Sequence, residues 1–166
     1  KYNKKAYLIL KNQKNDAQFR NNLFTVTKQF SLFDQDEELR SSLQLIVEKA
    51  VEKKDSLNLA KAYNLYANQY TNLGQNDSAY YYLLKSEKLF LKLKDSLNLS
   101  KNYLDKSYVQ LYENDYTGSE LSSIQALGYF KNFNNRQSEY LALNLIGICS
   151  NELKNYDNAL IYHNKA

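Results

Sequence analysis

The sequence predicts an all-α chain built as a solenoid of antiparallel helical hairpins, and three observations predict it. The hexapeptide KDSLNL occupies residues 54–59 and returns at 94–99, a spacing of forty. Proline is absent and glycine occurs only four times, so the breakers that sandwiches, barrels and Gly-rich nucleotide folds need are missing. Within each unit the apolar residues step by three and four, which places them on one helical face.

The elements follow in order, each boundary good to about 2–4 residues. Residues 1–14, KYNKKAYLILKNQK, read as the remnant of a preceding helix. The apolar AYLIL is too short for the core of a signal peptide, and no small-residue cleavage site follows it. Helices over 15–33 and 36–54 form a divergent hairpin, with Leu39, Leu43, Ile46, Ala50 and Val51 in the place of an earlier repeat's second half. Its acidic DQDEEL lacks the spacing and central glycine of a calcium loop. There Asp34 or Asp36 is the expected cap, with Glu37 and Glu38 at the positive end of the dipole.

Three repeats follow, over 56–94, 96–134 and 136–166, the last incomplete. The first helices run 56–73, 96–113 and 137–153; the second run 77–94, 117–133 and from 157 onward. Ala60, Tyr63, Ala67 and Tyr70 share one face of the first helix in 56–94. Gly74 suits the left-handed position that ends a helix, Asn76 or Asp77 can cap the next, and Asp95 or Ser96 the one after. Ala79, Leu83, Ser86, Phe90 and Leu93 form the second face. At a spacing of forty, Ala67 meets Ser107 and Gly147, Ala79 meets Ser119 and Ala159, and Phe90 meets Phe130. Small residues let neighbouring helices approach, and a lone hairpin cannot bury both sides of its stripe, so hairpins stack.

Composition narrows the classes. Of 166 residues, 43% are hydrophobic and 24% charged, which is globular rather than disordered. The net charge of +4 comes from interspersed signs, with no basic run dense enough for a nucleic-acid arm. No apolar run reaches the ~20 residues of a membrane helix. Cys149 has no second cysteine to pair with, which leaves cytoplasm and periplasm both open. The chain starts without Met and stops at IYHNKA without a helix stop signal, and reads as a piece of something longer.

Chemistry-bearing residues are few. His163 is the only histidine, and nothing near it in sequence supplies a metal-ligand or acid–base set, so a structural role is expected. Cys149 beside Ile148 reads as a buried small hydrophobe. No phosphate-loop, dinucleotide, zincin or nucleophile-elbow motif occurs. No catalysis and no cofactor are expected. Tyr80, Tyr81 and Tyr82 cover most of a helix circumference, so at least one ring must face away from the core.

At these residues the chain resembles the tetratricopeptide repeat (TPR) family. The last copy, LNLIGICSNELKNYDNALIYHNKA, matches through Leu143, Ile146, Gly147, Tyr156, Ala159, Leu160 and Ala166. The copy at 56–94 matches through Tyr63, Tyr66, Ala67, Tyr70, Gly74, Ala79 and Leu83. The resemblance covers 15–166 and is strong over 56–166. The unit of forty exceeds the family's ~34 and lacks its proline, while Lys106 and Gln110 stand where apolar residues are expected, which implies looser packing in the middle repeat. The long unit is similar to TPR arrays of bacterial sensory regulators.

What the resemblance implies is a right-handed TPR-type superhelical solenoid whose first helices line a concave groove. The groove residues it implies are Lys61, Asn64, Leu65, Asn68 and Asn72, then Lys101, Leu104, Asp105, Tyr108 and Tyr112, then Leu141, Asn144, Leu145, Ile148 and Asn151. Asn64 and Asn68 match part of the clamp that holds acidic chaperone tails in some family members. Asp105, Leu141 and Leu145 fall at its other positions, which argues against that ligand. The implied role is a non-catalytic scaffold that binds a protein or peptide, as the sensor or interaction segment of a larger bacterial regulator in signal transduction or transcription. The rival reading is a spacer or homodimerisation module with an empty groove.

Overall fold

The computed structural model describes residues 2–33, 35–130, 133 and 135–166. It holds nine α-helices among the described residues: α1 (Tyr2–Leu10), α2 (Ala17–Leu32), α3 (Asp36–Glu52), α4 (Ser56–Asn72), α5 (Asn76–Leu93), α6 (Ser96–Tyr112), α7 (Tyr116–Phe130), α8 (Arg136–Glu152) and α9 (Tyr156–Lys165). From α3 onward, helices begin at 36, 56, 76, 96, 116, 136 and 156. The period of forty is therefore two equal periods of twenty, one helix and its turn in each.

The turns explain that regularity. Lys54, Gly74, Lys94, Asn114 and Lys154 all have positive φ, between 54° and 68°. Each follows a helix end, where the left-handed conformation reverses the chain. One residue later a polar side chain usually opens the next helix: Asp55 accepts from Asn58 N, Asp95 from Asn98 N, Asp115 from Gly118 N and Asn155 from Asn158 N. Asn135 opens α8 in the same way, accepting from Ser138 N. The expected caps at Asn76 or Asp77 do not form. Gln75 is the cap residue there, without a side-chain bond, and Asp77 lies inside the first turn. Gln35 likewise precedes α3, with Asp36, Glu37 and Glu38 in its first turn; Asp34 lies outside the described residues.

Consecutive helices pack on one another along the whole chain. In addition α2 touches α4, α4 touches α6 and α6 touches α8, while among the described residues α3, α5, α7 and α9 make no comparable contacts with one another. Crowding of α2, α4, α6 and α8 with splaying of the others bends the stack, so the former line the concave side. Buried residues gather in successive clusters along it: Phe19, Leu23, Phe30 and Leu43 in one, Ala67, Ala79, Leu83 and Val109 in the next, Phe90, Tyr103, Phe130 and Leu145 in a third.

The middle repeat corrects the expectation of loose packing. Lys106 is only 8% exposed; its Nζ pairs with Glu87 Oε2 at 2.8 Å and lies 4.7 Å from the Tyr103 ring centroid. Gln110 Oε1 accepts from Ser122 Oγ at 2.6 Å while its Nε2 donates to Asp115. Between them Ser107 sits 3.0 Å from Ser119 Oγ and 2.5 Å from Ser123 Oγ. Buried polar groups pack as well as apolar ones when each finds a partner, and small serines let α6 and α7 come close enough to bond.

Elsewhere the small residues behave as expected. Ala67 and Ala79 are fully buried. A Cβ on Gly147 would lie 2.7 Å from the His163 ring, so the histidine packs over the glycine. Cys149 is buried, and burial pushes its thiol up. Of the three consecutive tyrosines, Tyr81 is 53% exposed.

Candidate groove on the concave face

Two adjoining clefts, each about 400 Å³, open on the concave side. The first is lined by Phe24 and Lys28 of α2, Lys61, Asn64, Leu65 and Asn68 of α4, and Asn98, Lys101, Leu104 and Asp105 of α6, with Phe90 at its floor. The second is lined by Ser31, Asn68, Thr71, Asn72, Asp105, Tyr108 and Tyr112. Asn68 and Asp105 belong to both, so the clefts form one continuous groove.

The groove follows from the repeat. Residues three and four apart on α4 and α6 share a face, and the first helices of successive hairpins run the same way because each returns through a short turn. Equivalent faces therefore align. Of the residues expected in the groove, Lys61, Asn64, Asn68, Lys101, Asp105, Tyr108 and Tyr112 line the clefts. Asn144 and Asn151 of α8 line neither, and Leu145 is buried in the core, so α8 adds little to this surface. Phe24, Lys28 and Ser31 were not expected. They lie on α2, where the repeat pattern is too degraded to align; only the contact of α2 with α4 reveals them.

The side chains differ in how free they are. Asn64 is tied internally: its Oδ1 accepts from Asn102 Nδ2 at 2.7 Å and its Nδ2 points to Asp105 Oδ2 at 3.4 Å. Asn102 also donates to Leu83 O. Asn68 and Tyr112 are exposed, and Tyr108 is half-buried. Among the described residues, Lys28, Lys61, Lys101 and Asp105 form no ion pair. Burial pushes the Asp105 carboxyl up to about 7, with Lys101 pulling weakly the other way. A carboxylate held without a cation in a partly dry site prefers its neutral form.

Among the described residues no group of three or more His, Cys, Asp or Glu gathers in metal-ligating fashion, and no helix is long and apolar enough to cross a membrane. No family model matches the chain, and no curated protein matches it. A solved structure does: the crystal structure of BtubC (BKLC) from P. vanneervenii is similar over 98% of this chain and 68% of its own, with a TM-score of 0.84 at 12% identity. At that identity the likeness shows the fold alone, and the fold is an all-α helical-repeat solenoid.

Proposed function

We propose that the chain is a TPR-type scaffold that binds an extended peptide in its concave groove, as the interaction segment of a larger bacterial regulator. The observation that carries this reading is the continuous groove across α2, α4 and α6, whose shared wall residue Asn68 is exposed and makes no side-chain hydrogen bond among the described residues. An amide there can satisfy a peptide N–H and C=O together, and Tyr108 and Tyr112 offer rings on which a side chain can rest.

The test compares neighbouring positions on α4. Asn68→Ala should weaken a captured peptide by about 1–3 kcal/mol, the cost of an unsatisfied partner, and barely move the melting temperature. Ala67→Leu, on the packed face, should lower the melting temperature instead. A peptide-display screen on the wild-type chain followed by both variants reads this out. Wild-type affinity in both Asn68→Ala and Tyr108→Ala would leave the spacer or dimerisation reading in its place.

A further inference from the structure

Resting on that reading, we propose that the cleft between Ser31, Asn72 and Tyr112 is an arginine pocket: a guanidinium on the bound peptide pairs with Asp105 and lies against the Tyr108 and Tyr112 rings. Three observations converge on a cation, and each is independent of the others.

The first is the lining. Among the described residues, Asp105 is the only charged residue in this cleft, and the rest are hydroxyls, amides and two tyrosines. The three groove lysines line the other cleft, which Asp105 also borders. Asp105 has no ion-pair partner among the described residues, and its one side-chain donor, Asn64, is distant at 3.4 Å. A carboxylate in that state is stabilised by an incoming cation far more than a solvated one is.

The second is position along the helices. Ser31 lies in the last turn of α2, Thr71 and Asn72 in the last turn of α4, and Tyr112 ends α6. Three helix C-termini thus converge on one cleft. Their last turns carry the negative ends of three parallel dipoles. The lysine cleft is displaced toward the N-terminal halves of α4 and α6, where Lys61 and Lys101 lie. The groove is therefore polarised along its length, which also fixes the direction in which a peptide lies.

The third concerns which cation. Tyr108 and Tyr112 are one helical turn apart on α6 and both border the cleft. Rings beside a carboxylate suit a flat guanidinium, which stacks and forks at once, better than a compact ammonium. Seating it draws a proton off Asp105, so affinity rises with pH. The groups that face Asp105 are Lys28 from α2, Lys61 from α4, and Lys101, Tyr108 and Tyr112 from α6, with Tyr140 of α8 behind Tyr108. Among the described residues α5 contributes only Phe90 to the lining.

The experiment pans a random dodecapeptide display library on the full chain, then measures synthetic, end-blocked, histidine-free versions of the selected peptides. Arginine should be enriched over lysine. Replacing it with glutamine should weaken binding by tenfold or more, Asp105→Asn should do the same, and wild-type affinity should rise about tenfold from pH 6 to pH 8, the change in the ionised fraction of a group that titrates near 7. Asp105→Asn should show no such rise. Peptides that are lost on Asn68→Ala but carry no preferred arginine, or that bind Asp105→Asn normally, overturn the arginine pocket and leave the groove reading standing. Failure to capture any peptide overturns both.

Discussion

Asp105 and Asp55 titrate in opposite directions, and both carry a stability prediction. Asp105 in the fold holds its proton to about 7. Its raised value means that its contribution is most favourable below the ordinary carboxylate range, declines as pH rises from there to about 7, and levels off above. Asp105→Asn keeps the shape and removes the charge. At pH 8 it should raise stability by roughly 1–3 kcal/mol, a figure discounted for partial exposure, and at pH 4 it should change little. Urea melts at the two pH values check this. Asp55 differs because it has a cation. Burial alone would raise its carboxyl, but hydrogen bonds from Arg20 and Asn58 outweigh that and hold it below its ordinary value. Arg20 Nε lies 2.6 Å from Asp55 Oδ2. That stability is present above the ordinary value and is lost as pH falls through the folded one. Asp55→Asn should therefore cost about 2–3 kcal/mol at pH 7, with the difference shrinking toward pH 3. Neither behaviour was legible in the sequence. Asp55 and Asp95 sit in identical hexapeptides, yet only Asp55 meets an arginine, which α2 brings from thirty-five residues away.

At the scale of the element, the turns set the period. The left-handed positions take lysine three times, twice before an aspartate cap, and glycine and asparagine once each. A lysine there keeps a Cβ where glycine has none, at a cost of about 1 kcal/mol or more. Lys94→Gly should therefore stabilise the chain by roughly 0.5–1 kcal/mol, the strain relief being partly offset by the freer unfolded chain. Lys88→Gly, six residues earlier on the exposed face of α5, should destabilise it by about 1 kcal/mol. Thermal melts of the pair check the sign, and equal losses in both would mean that Lys94 bears no strain. The helices themselves were legible, because apolar spacing and Gly74 mark them without any tertiary information. The quality of the α6–α7 seam was not. Lys106 and Gln110 look like defects until Glu87 and Ser122 are placed beside them. The groove was legible on α4 and α6, where the repeat aligns, and invisible on α2, where it does not.

For the whole molecule, what matters is that each hairpin leans mainly on its neighbours. The core is a chain of clusters, and stability should be distributed along it in the same way. Ala67 tests this. It is fully buried in one cluster with Ala79 and Leu83 of α5 and Val109 of α6. Leucine there has no room, and overpacking should cost about 1–3 kcal/mol. In a single cooperative core that loss would speed hydrogen exchange everywhere by one common factor. In a stack, protection should fall in α4, α5 and α6, which carry the cluster, and hold in α2 and α3. α9 supplies the baseline. It buries only Ala159 among its described residues and packs chiefly on α8, so its amides should exchange faster than those of α5 in wild type and Ala67→Leu alike. A uniform loss of protection from α2 through α8 would show that the clusters act as one unit despite their separation.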